Sequence, residues 1–66
     1  MNRYYSRLKQ FVIFKGSDGD MSRDYQTDKW YFEPKDVKGS PEIFSEGYQS
    51  RESALHAADD WEIEFA

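Results

Sequence analysis

No cysteine occurs in this chain of 66 residues, so its fold must hold by tight packing or by self-association. Disulfides and thiolate-bound metals, the usual staples of very small domains, are ruled out. A domain of this size buries only about 60% of the surface its unfolded chain exposes, and its core supplies roughly 3–5 kcal/mol. Large rings are the available remedy. Five Phe, five Tyr and two Trp are present, and each ring can bury about 150–250 Å². Such rings serve a core and a self-association surface equally well. The length allows a single domain, residues 1–66.

The apolar pattern places strands first. In "LKQFVIFK" the run Phe11, Val12, Ile13 and Phe14 is β-branched and aromatic, which favours a strand covered on both faces over a buried helix. Residues 1–6, "MNRYYS", extend this strand or fray. Residues 16–28 form a polar loop with two glycines, long for a hairpin connection and so either functional or mobile. "KWYFEPK" alternates, with Trp30 and Phe32 on one side and Lys29, Tyr31, Glu33 and Lys35 on the other. Pro34 marks its end or an edge. "DVKGSP" reads as a turn and "EIFSE", residues 42–46, as the third strand.

A helix follows. Gly47 lets the chain turn, Ser50 is a suitable N-cap, and Glu52 suits the positive end of the helix dipole. From Arg51 to Trp61 or beyond, Ala54, Leu55, Ala58, Trp61 and Phe65 fall on one apolar face. The expected architecture is α+β: a three-stranded antiparallel sheet with one C-terminal helix packed on one face, in the order β-β-β-α.

Residues 43–58, "IFSEGYQSRESALHAA", carry the strongest likeness to a known pattern. Ile43, Ser45, Glu46, Tyr48, Ser50, Arg51 and Ala54 match, in order, the strand–turn–helix signature of the YegP-like family of small domains of unknown function. Upstream, "FVIFKGSDG", "KWYFEPK" and "KGSPEIF" are similar to that family's first strand and turn, aromatic second strand and third-strand turn. The likeness covers roughly residues 11–58. It implies a β-β-β-α module that pairs, as a tandem repeat or a dimer. For a chain with one copy it implies a homodimer, with no catalytic residues.

Charge is unevenly distributed. Residues 1–17 carry four bases and no acid, whereas residues 18–66 carry five bases against thirteen acids. Residues 52–66 hold Glu52, Asp59, Asp60, Glu62 and Glu64 and no Lys or Arg. Acids at a helix C-terminus oppose the dipole at about 0.3–1 kcal/mol each. The commonest reading of such a run is a solvated, fraying end. A second reading compensates the acids with the basic head, Arg3, Arg7 and Lys9, within one chain or between two. In that reading the alternation of "WEIEF" suits an edge strand. A third has the carboxylates mimic DNA phosphates or dock on a basic partner.

The chemical inventory is thin. His56 is the lone histidine and lacks a nucleophile partner; it reads as a surface residue able to pair with Asp59 or Asp60. "DGDMSRDYQTD" resembles a calcium loop only superficially, with Arg23 at the position needing Gly and Lys29 at the position needing Glu. "GSDG" has no phosphate-loop spacing. No catalytic residue, metal or cofactor is expected, and no run approaches the roughly 18 apolar residues of a membrane span. The reading is a soluble, cytoplasmic, non-catalytic protein-interaction module that forms a homodimer. Trp30, Phe32, Leu55 and Trp61 are expected in its core, and Tyr31 and Phe44 on a pairing face away from the helix. One alternative is an acidic inhibitor, of phage or mobile-element type, contacting a basic host DNA-processing protein through Asp59, Asp60, Glu62 and Glu64. The other is a single-strand nucleic-acid binder using Tyr31 and Phe44 near Lys29, Lys35 and Arg7, disfavoured by the net charge of −4.

Overall fold

In the computed structural model, residues 4–19, 22–35 and 43–65 are described, and the statements below concern those residues. The expected turn at 36–41, Glu42, Arg3 and the side chain of Phe65 lie outside them. Three strands, β1 (Tyr4–Tyr5), β2 (Phe11–Lys15) and β3 (Trp30–Pro34), precede one helix, α1 (Arg51–Phe65). The sheet order is β1-β2-β3, antiparallel throughout. The α+β, β-β-β-α architecture is therefore present, but with different membership. The third strand is the tyrosine pair at the N-terminal edge, and residues 43–46 form no ladder.

Strand alternation divides the rings between two faces. Ile13 lies opposite Phe32, and Phe14 opposite Tyr31. Phe11, Ile13 and Phe32 therefore face α1, where Ala54 and Ala58, both fully buried, complete the core. The two alanines let the helix backbone approach the sheet closely. Phe11 and Phe32 meet edge to face, with ring centroids 5.5 Å apart. Tyr4, Trp30, Tyr48 and Leu55 are partly buried around this cluster. Trp30 and Leu55 are thus rim rather than centre, and Trp61 is outside, 40% exposed.

The opposite face is covered by the loop after β2. A 3-10 turn at Gly16–Asp18 begins it. Tyr25 then packs on Phe14 and Tyr31, at 5.1 and 4.7 Å between centroids. Arg23 pairs with Glu33 at 3.2 Å, and the Tyr25 hydroxyl donates to the same carboxylate. Burial, reinforced by Glu33 and opposed by Arg23, pushes the Tyr25 phenol up, so it stays protonated as that donor. The four-residue apolar run of β2 is covered on both sides, as its composition requires. The loop packs on that face through Tyr25 and the Gln26 N–H. Gly16 allows its approach: a Cβ at this position would stand 1.9 Å from the Gln26 carbonyl oxygen.

The outer edge of β3 is closed without a further strand. Trp30 and Tyr48 exchange two backbone hydrogen bonds of 2.8 Å in an isolated bridge. The Phe32 N–H donates to the Ser45 hydroxyl at 3.0 Å. Ser45 thus does with its side chain what a strand would do with its carbonyl. Ser50 caps α1 as its position suggests, its hydroxyl accepting the Ser53 N–H at 3.1 Å.

Candidate functional site

The hairpin between β1 and β2 turns at Ser6, whose carbonyl accepts the Lys9 N–H at 2.8 Å. Lys9 lies in the left-handed region, φ 59°, which costs a non-glycine residue on the order of 1 kcal/mol. Left-handed residues within turns gather neighbouring N–H groups on one concave side. Here those groups face the C-terminal half of α1. Arg7 N–H donates to Asp59 at 2.7 Å, Leu8 N–H to Glu62 Oε1 at 2.9 Å, and Gln10 N–H to Glu62 Oε2 at 3.0 Å. The buried Ser6 hydroxyl donates to the same Glu62 oxygen while accepting the Phe11 N–H at 3.0 Å.

Glu62 is 1% exposed, among the most deeply buried side chains described. Taking an ionised carboxylate from water costs several kcal/mol. Three hydrogen bonds to the charged acceptor, each worth about 1.5–3 kcal/mol net of exchange with water, oppose that cost. The same balance governs its proton. Burial pushes the carboxyl up, but the bonds from Ser6, Leu8 and Gln10 together outweigh it and hold Glu62 below its ordinary value. Opposition to the helix dipole, at most about 1 kcal/mol, is the smaller effect.

The compensation for the acidic helix end therefore comes from the N-terminal segment, as backbone N–H groups rather than the Arg7 and Lys9 side chains, which are exposed. "WEIEF" is helical, not an edge strand. Of the four acids expected as contacts, Glu62 is consumed internally and Asp59 is half-buried on Arg7; Asp60 and Glu64 are exposed. A signal for Glu62 exists in the sequence. Ala54, Ala58 and Glu62 recur at a spacing of four, so the buried ridge of the helix runs on into it.

The expected pairing face divides. Tyr31 is 4% exposed, its hydroxyl accepting the Gln26 N–H at 2.9 Å beneath the loop. Its ring is stacked on Phe14 and cannot offer a face to a base. Phe44 lies on the other side of the sheet, the helix side. It touches Phe11 and Phe32, each at 5.7 Å, and Trp61 at 5.5 Å. Phe44 is 42% exposed. Phe44 and Trp61 thus form a joined aromatic patch at the sheet–helix junction, with Asp60 before Trp61 in the helix and Glu64 one turn on.

Among the described residues, no three His, Cys, Asp or Glu side chains cluster to hold a metal, and no helix is long and apolar enough to cross a membrane. Comparison with protein-family models, curated proteins and solved structures finds no match.

Proposed function

We propose that the protein is a small non-catalytic interaction module that pairs with a second copy of itself through the Phe44–Trp61 patch. The observation carrying this reading is that two rings in contact leave about two-fifths of their surface exposed. Contiguous apolar patches are where interfaces form, whereas single exposed apolar residues are ordinary. Self-pairing is favoured over a foreign partner by the charges nearby. The Arg7 backbone is bonded to Asp59, so the exposed bases Arg7 and Lys9 belong to a turn docked against the helix end that carries the exposed acids Asp60 and Glu64. A surface bearing both signs side by side can complement its own copy across a two-fold axis.

Binding of a basic host protein by the acidic helix end rests mainly on Asp60 and Glu64, with Glu62 turned inward and Asp59 bonded to the Arg7 N–H. The two readings separate in a pull-down of tagged protein from bacterial lysate mixed with an untagged copy. Recovery of the untagged copy, lost with Phe44→Ser, supports pairing. Recovery of a basic DNA-processing protein, lost with Asp60→Lys and retained with Phe44→Ser, replaces it with the inhibitor reading.

A further inference from the structure

We infer that the Ser6–Gln10 turn is a carboxylate-binding site in its own right, and that Glu62 is the ligand the chain itself supplies to it. The site is built from three donors converging on one carboxylate: Leu8 N–H on one oxygen, Gln10 N–H and the Ser6 hydroxyl on the other. Both backbone donors lie on the turn, not on the helix. Its shape is set by the Ser6–Lys9 turn bond, the left-handed Lys9 and the Ser6–Phe11 bonds, none of which involves α1. The ligand is therefore separable from the receptor. Leu8 N–H meets one oxygen of the bound group while Gln10 N–H and the Ser6 hydroxyl meet the other, a two-oxygen arrangement that matches a small planar carboxylate. This inference stands whether or not the protein pairs.

Removing the Glu62 side chain beyond Cβ deletes a CH2–COO⁻ unit, which is the size of acetate. Glu62→Ala protein titrated with sodium acetate, with sodium chloride at matched ionic strength as control, tests the inference by thermal unfolding. Acetate should raise the Tm of Glu62→Ala saturably. At ten times its dissociation constant it multiplies the folding equilibrium constant about tenfold, a shift of several degrees for a domain of this size. The wild type and Glu62→Gln, whose sites are filled, should respond no more than to chloride. Should Glu62→Ala be unfolded in chloride, acetate should restore its helical circular dichroism. An equal response of all three proteins to acetate, or an unfolded Glu62→Ala that acetate leaves unfolded, overturns the inference.

Discussion

The Leu8 N–H and the Glu62 carboxylate, 54 residues apart in sequence, meet at 2.9 Å and tie the first hairpin to the last turn of the helix. The link joins an edge strand only two residues long to the helix that covers the sheet. Without it, β1 would hold to β2 by few ladder bonds. Glu62→Ala takes the carboxylate acceptor from the buried Ser6 hydroxyl, which keeps only its longer 3.4 Å approach to the Phe11 carbonyl, and leaves Leu8 and Gln10 to water. The expected loss is on the order of 2 kcal/mol, a large part of the roughly 3–5 kcal/mol a core this small supplies. Urea unfolding measures it, and Glu62→Gln, which keeps an acceptor, should lose less.

Acid should release the same link. The folded pKa of Glu62 lies below its unfolded value. Its ionised form therefore contributes stability that is full above the unfolded carboxylate pKa of about 4.3. That contribution is lost as pH falls through the folded pKa. The stability difference between wild type and Glu62→Gln should be constant from neutral pH to about 5 and shrink below about 4.3. A difference unchanged down to pH 3 would show that the carboxylate is not held as the ion.

Gly16→Ala tests the loop cover. Its Cβ would press on the Gln26 carbonyl, a backbone atom that can move only by lifting the loop from Tyr31. Overpacking of this kind costs about 1–3 kcal/mol. Near-ultraviolet circular dichroism should lose part of the tyrosine signal, since Tyr25 and Tyr31 are in contact beneath that loop. A variant with wild-type stability and spectrum would mean that the loop does not pack there.

Ser50→Ala should cost about 1 kcal/mol by removing the acceptor for Ser53 N–H, lowering Tm by roughly 4–8 °C. Ser50→Gly should cost only a few tenths.

Much of the fold was legible because its signals are local. Trp30 to Pro34 alternates, Phe11 to Phe14 is too apolar for one-sided burial, and Ser50 caps a helix of recognisable stripe. The rest depends on contacts distant in sequence. Tyr4–Tyr5 has no alternation to mark it and is a strand only because β2 lies beside it. Residues 43–46 look like a strand yet close the β3 edge mainly through the Ser45 hydroxyl. Tyr31 is hidden by Tyr25, which no periodicity links to it. Glu62 and Trp61 exchanged their expected places because spacing along the helix outweighed polarity. The ridge of Ala54 and Ala58 continues into the acid, and the indole next to it turns out toward Phe44. An apolar stripe reports which residues would prefer burial. It does not show that a ring of donors waits opposite an acid.

Pairing of two copies through the exposed Phe44–Trp61 pair is the proposal on which the function depends. Sedimentation equilibrium of wild type and Trp61→Ala at micromolar concentration tests it most directly. Trp61 is not part of the buried core, so the variant should keep its fold, as its circular dichroism will report. The prediction is a dimer mass for the wild type and a monomer mass for Trp61→Ala. A wild type that sediments as a clean monomer across that range, or a Trp61→Ala that remains dimeric, would contradict it.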